Sequence, residues 1–279
     1  VTTVRPTQAS LSIYPPNAES GASRTLLGTL ATAGVQVSEA GGGPALVIYD
    51  GRLKPEHASL LRGRESSYLL ACPGPEQTPR PGDVEILELL LRGGSLTPDF
   101  EGVQRYYVGT LAGLRTASER LAGHLEAEGI ARGPAEVCAD VMYELAANAL
   151  LDAPATTAGD PKYAHRRDDP ALRISPEDAA VIAFGVKGSR AYLGAVDRFG
   201  RLSPEPLVRT LEGLGEKAKV NSAGGGAGLG LRRIVEQSDL VAVRVVPERT
   251  TEVLCAVDLG EVRRRASGSK SLFFSVERG

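Results

Sequence analysis

Glu144, Asn148 and Asp152 stand at intervals of four within the stretch YELAANALLDA, residues 143–153. At 3.6 residues per turn, that spacing lines two carboxylates and an amide along one face of a helix. Leu145, Ala149 and Leu150 fall on the other faces. A carboxylate can orient or deprotonate a nucleophile, and a neutral amide oxygen suits a hard, well-hydrated ion such as Mg2+. Alone, the pattern is equally that of a polar stripe on an amphipathic helix. Two further clusters follow it. In residues 191–200 (AYLGAVDRFG) an apolar strand ends at Asp197, with Gly200 three residues on. Residues 224–231 (GGGAGLGL) run directly into an apolar helical pattern over 232–237. Glycines ahead of a helix let backbone N–H groups converge on a phosphate, and the helix dipole adds attraction. No Gly-Lys-Ser/Thr follows, so this is not a Walker loop. No strand leads directly into it, so it is a poor dinucleotide fingerprint.

The elements that must hold these residues are legible from periodicity. Residues 111–127 and 134–151 read as two long helices, and 153–172 as a polar loop with three prolines. Strands are predicted over 179–186 and 192–196, a helix over 204–215, and a hairpin of strands over 240–247 and 251–258. A layer of helices on one mixed sheet gives an α+β sandwich.

In order and combination, the three clusters resemble the signature of the GHKL superfamily of ATP-binding domains. Glu144–Asn148 corresponds to its N box, Asp197 to its first glycine box, and Gly226-x-Gly228-Leu229-Gly230-Leu231 to its second. The resemblance covers residues 105–260 and looks closest to anti-sigma factor serine kinases and histidine-kinase ATPase domains. It implies a Bergerat-type two-layer sandwich and Mg-ATP as ligand. Asn148 would hold Mg2+, Glu144 would act on the attacking nucleophile, and Asp197 would accept from the adenine amino group. Gly226, Gly228, Leu229 and Gly230 would line the triphosphate, with Asp152 and Gly200 also lining the pocket. Lys217, Lys219 and Asn221 would sit in the segment closing over it. One departure stands out: Phe199 and Arg201 occupy places where the first glycine box usually has glycines, which threatens to crowd the adenine.

The first hundred residues alternate strand and helix signals. Strands are expected over 11–14, 35–37, 45–49 and 68–71, and helices over 22–33, 55–64 and 84–92. That is the pattern of a small parallel α/β domain. Its order resembles a receiver domain, with Asp50 where a phosphoacceptor would follow the third strand. The acidic pair that holds Mg2+ in a receiver is missing, because the segment after the first strand reads IYPPN. An isolated carboxylate is poorly activated for phosphoryl chemistry, so this half is read as degenerate and Asp50 as a turn-forming Asp-Gly. Turn-rich residues 93–102 suggest a boundary. The expected organisation is a receiver-like α/β domain over 1–98 and an ATP-binding domain over 104–279.

Composition narrows the function classes. The chain has 279 residues, 42% of them hydrophobic, and a formal net charge of −2. No cationic excess is present to neutralise nucleic-acid phosphates. The start lacks a signal-like core and no apolar run reaches 18 residues, so the expectation is a cytoplasmic protein with no membrane segment in this chain. Cys72, Cys138 and Cys255 are far apart and lie in apolar runs, which reads as three reduced core thiols. Only His57, His124 and His165 are present, and the surroundings of His124 do not match a phosphoacceptor box. Two readings therefore stand. One is a bacterial signalling protein that binds Mg-ATP and phosphorylates or regulates a protein partner. The other is a non-catalytic, nucleotide-gated interaction module. The expected partners are ATP and a signalling protein, and a homodimer is open to either reading.

Overall fold

The computed structural model describes residues 7–13, 28, 35–38, 45–49, 52–73, 78–167, 169, 171–215, 227–260 and 268–277. Ten strands are described: β1 (Thr7–Ile13), β2 (Val35–Ser38), β3 (Ala45–Tyr49), β4 (Ser67–Ala71), β5 (Gln104–Val108), β6 (Ala180–Lys187), β7 (Arg190–Asp197), β8 (Leu240–Val246), β9 (Thr250–Asp258) and β10 (Ser271–Val276). The helices are α1 (Ala58–Leu61), α2 (Pro81–Leu91), α3 (Leu111–Ala127), α4 (Arg132–Ala147), α5 (Glu205–Glu212) and α6 (Ala227–Gln237).

All ten strands belong to one sheet, in the order β2-β1-β3-β4-β10-β8-β9-β7-β6-β5. The first four are mutually parallel. Their 2-1-3-4 order is that of a doubly wound sheet. In the fifth position stands β10, antiparallel to β4 and parallel to β8. From β8 to β5 every pairing is antiparallel. The fold is therefore mixed α/β.

Alternation along the strands sorts the core into two faces. Val47, Tyr49, Leu69, Ala71, Leu272 and Phe274 face α1, α3, α4, α5 and α6. Leu46, Ile48, Tyr68, Leu70 and Phe273 face α2 and Leu96. Each face holds residues from both halves of the sequence. Sheet and core both include residues from either side of positions 98–104. A buried ion pair reinforces the junction. Asp83 of α2 accepts from Arg190 of β7 at 2.7 Å and from the Ser271 hydroxyl of β10 at 2.6 Å.

Two elements were not expected from sequence, the edge strand β5 and the inserted strand β10. The helix expected over 55–64 is shorter, a 3-10 turn at Pro55–His57 leading into α1. The second long helix ends at Ala147 and continues as one π turn, Asn148–Asp152. The glycine run enters its helix earlier than expected, because α6 starts at Ala227. Cys72, Cys138 and Cys255 are buried. Burial pushes the Cys255 thiol up to about 12. Among the described residues, no helix is long and apolar enough to cross a membrane.

Candidate functional site

The helix α4 is anchored by Cys138, Val141, Met142 and Leu145, all buried. This leaves the stripe of Glu144, Asn148 and Asp152 facing α6 and β7. The π turn begins at Asn148, whose carbonyl accepts from Ala153 N at 3.0 Å. Such single-turn widenings of a helix recur at functional sites. A cavity of about 320 Å3 opens beside it, within the usual range for small-ligand pockets. Asn148, Asp152, Asp197, Thr251, Arg201 and Leu231 all contribute to its wall. Its floor is apolar, formed by Ala195, Val243, Val253 and Ile234.

Asp197 ends β7 opposite Thr251 of β9. Its Oδ1 accepts from Phe199 N at 2.8 Å, Gly200 N at 3.3 Å and Thr251 N at 3.3 Å. Gly200 makes this turn possible. Its φ is +61°, and a Cβ there would strike Val246 O and lie 2.8 Å from Arg249 N. Burial pushes the Asp197 carboxyl above its ordinary value, and the backbone donors pull against that shift.

Two buried side-chain oxygens of residues lining this cavity, Asn148 Oδ1 and Asp152 Oδ1, have no hydrogen-bond partner among the described residues, while the Thr251 hydroxyl lies against the Asp197 carboxylate and helps to hold its pKa down. Buried polar atoms are nearly always satisfied, and others without a partner among the described residues lie on Arg190, Gln237, Ser238 and Arg244. A larger cavity of about 510 Å3, on the other sheet face, contrasts with it. There Lys187 pairs with Glu85 and Arg105 with Asp99, and no lining atom is orphaned.

Glu144 lies at the edge of the site. Arg233 of α6 donates to its Oε1 at 3.1 Å. A Cβ on Gly230 would sit 2.5 Å from Glu144 Oε2 and 3.6 Å from Asn148 Oδ1. Gly230 thus lets α6 come against the polar stripe of α4. Asp152 is held by Arg167, from the long 153–172 loop. Burial pushes its carboxyl up, Arg167 draws it down and Glu144 raises it again.

Three expected residues line the cavity, Asn148, Asp152 and Asp197; Glu144 and Gly230 pack against each other beside it, and Gly200 shapes the turn. Leu229 does not line the cavity; its side chain is 44% exposed. Gly228 lies in the first turn of α6. Gly226, Lys217, Lys219, Asn221 and Asp50 lie outside the described residues. The expected crowding is resolved in part. Phe199 is not in the cavity wall, whereas Arg201 is, donating to Gly159 O at 3.4 Å. Sequence reasoning missed Thr251 and Arg167. Thr251 could have been found by pairing the end of one predicted strand with the start of the other. Nothing local marks Arg167.

Comparison with known protein families finds no match, and comparison with curated proteins finds none either. Among solved structures, the crystal structure of the SiaB-SiaC complex from Pseudomonas aeruginosa contains a similar chain. The two align at a TM-score of 0.36 with 15% sequence identity, covering 55% of this chain and 88% of that one. At that TM-score the likeness carries no functional argument.

Proposed function

We propose that the chain is a signalling protein that binds Mg-ATP in the 320 Å3 cavity, in the manner of a GHKL domain, and phosphorylates or regulates a protein partner. The observation that carries this reading is the convergence on one cavity of residues from three separated motifs, Asn148 and Asp152 from the first, Asp197 from the second and Leu231 from the third. The base would lie on the apolar floor, with its amino group donating to Asp197 and its ring beside the Thr251 hydroxyl. The phosphates would extend towards the first turn of α6, where N–H groups and the helix dipole favour anions.

The donor set fits a magnesium ion of this kind. Asn148 Oδ1 is a buried neutral oxygen with no partner. Such an ion would keep most of its water and take its other ligands from phosphate. When bound, it would supply charge neutralisation for the phosphates. Glu144, one turn before Asn148, would orient or deprotonate the nucleophile.

A second reading, a nucleotide-gated module without turnover, is favoured by one contact: Arg233 already occupies the Glu144 carboxylate. The test is calorimetric titration of the full chain with ADP and ATP, with and without Mg2+, alongside a phosphate-release assay. Binding with turnover supports the first reading and binding without turnover the second. No nucleotide binding at millimolar concentration would sink both.

A further inference from the structure

A cavity of about 390 Å3 lies away from the candidate nucleotide site, and its wall is cationic. It is lined by Arg52 and Lys54 just after β3, Arg232 and Glu236 of α6, and Lys270 just before β10, with Leu214 beyond α5. Four positive side chains from three separate segments thus meet one carboxylate on a concave surface.

Topology explains why they meet. In doubly wound sheets, ligands bind outside the carboxyl ends of the parallel strands. Arg52 and Lys54 follow the carboxyl end of β3. The antiparallel register of β10 on β4 sets Leu272 against Leu69, which brings the start of β10 to the same sheet edge. The neighbouring β8 runs parallel to β10, with Leu240 beside Ser271, so the C-terminal end of α6 arrives there too. Lys270 is 5% exposed, and its Nζ donates to Glu236 O at 2.8 Å and Ser238 O at 2.7 Å. It thereby neutralises the negative end of α6. Arg232 is turned onto Glu236 at 2.7 Å, so the one carboxylate in the wall is already matched. Arg52 is exposed and forms no ion pair among the described residues. Lys54 lies 3.6 Å from Glu56, both side chains being exposed, so this pair is weak and open to exchange with an anion; Arg52 and Lys270 leave the field positive, and a cleft with low-dielectric walls concentrates it.

A solvated charged face is the alternative, yet such a face seldom curves round a cavity with a buried lysine at its back. We infer that this cleft is a second, anion-binding site, taking a small multivalent anion of the phosphate class. Arg52 and Lys54 are its outer contacts, and Arg232 and Lys270 set its potential.

The probe is inorganic pyrophosphate, titrated calorimetrically into the full chain at low salt. Wild-type protein is expected to bind it at sub-millimolar concentration, with affinity falling as salt rises. The Arg52→Ala/Lys54→Ala double variant, altered only at exposed positions, should bind at least tenfold more weakly while unfolding at an unchanged temperature. Asp197→Asn should leave pyrophosphate affinity unchanged. Equal affinity in the double variant and wild type would overturn the assignment. So would wild-type protein that binds no pyrophosphate, or binding lost on Asn148→Ala but kept in the double variant, since the anion would then occupy the first cavity. ADP titrated into the double variant reports on the first cavity separately.

Discussion

Replacing Asp197 by Asn separates recognition from folding more cleanly than any other change at the site. In the native protein, Oδ1 takes three backbone N–H donors and the carboxyl is buried at 7% exposure. An Asn side chain has one amide oxygen and one NH2 group of the same shape. The oxygen must take the Oδ1 position, because the reverse would set NH2 against three donors. That leaves NH2 where Oδ2 stood. A ligand amino group that donated to the carboxylate would then face a donor. Losing a hydrogen bond to a charged group costs about 1.5–3 kcal/mol. At about 1.4 kcal/mol per decade, this is roughly a 10- to 150-fold loss of affinity for ADP.

Stability should move the other way. Burial raises the folded-state pKa of Asp197 above its unfolded value. A carboxyl with that shift binds its proton more tightly when folded. Its destabilising effect therefore sets in as pH rises past the unfolded value and is complete above the raised folded value. Asn carries no such charge, so Asp197→Asn should melt at the wild-type temperature or above it at pH 7, with the advantage vanishing towards pH 3. Calorimetry and thermal melts across pH test both halves. Unchanged ADP affinity would remove Asp197 as the base anchor. A lowered melting temperature at pH 7 would mean that the carboxylate serves chiefly to hold the Phe199–Gly200 turn.

Four further outcomes are expected. Glu144→Ala should abolish phosphate release while leaving ATP affinity within a few-fold, whereas Asn148→Ala should weaken only the Mg-dependent part of binding; loss of ATP affinity in Glu144→Ala would contradict the assignment. Gly200→Ala should lower stability by more than about 2 kcal/mol in denaturant titration, because a left-handed backbone alone costs about 1–2 kcal/mol and the added Cβ meets the backbone of residues 246–249. Arg167→Ala removes the cation beside half-buried Asp152 and raises its folded pKa further, so the variant should lose about 1–3 kcal/mol at pH 7 and recover part of it as falling pH protonates the carboxyl; a pH-independent loss would assign Arg167 to packing alone. Cutting the chain at residue 98 should leave 99–279 aggregating or without a cooperative melt, since the cut strips β4 from β10 and Asp83 from buried Arg190; a soluble, two-state fragment would show that the halves are energetically separate.

Much of this fold is local and was legible for that reason. The apolar run of β3 and the 3.6-residue period of α3 announce themselves within their own windows, and the structure gives both the bounds expected. The strands that were missed depend on distant partners. Residues 104–108 (QRYYV) form an edge strand, half exposed, whose pattern is fixed only by pairing with β6. Residues 271–276 (SLFFSV) find their place between β4 and β8, about 200 and 30 residues away in sequence. The composition does change at 93–102, but a strand from the far end of the chain carries the sheet across.

The site divides along the same line. The end expected to meet phosphate and metal rests on helical spacing and on glycines before a helix, both of which are sequence-local. Glu144, Asn148 and Gly230 were accordingly named from sequence, and they lie together. The end expected to meet the base is assembled by strand register. Asp197 was found because it closes an apolar run, while Thr251, 54 residues away, enters only through the pairing of β7 with β9. Arg167 comes from a loop with no periodicity, and only the half-buried carboxylate of Asp152 gives it a reason to be there. An Asp alone at a strand end is a turn residue. An Asp that shares a cavity with a neighbouring Thr hydroxyl and with Val and Ile side chains sets a polar group beside an apolar surface. That combination suits a flat, amino-bearing ring, and for this reason Asp197 rather than Glu144 is where the nucleotide reading is most exposed to refutation.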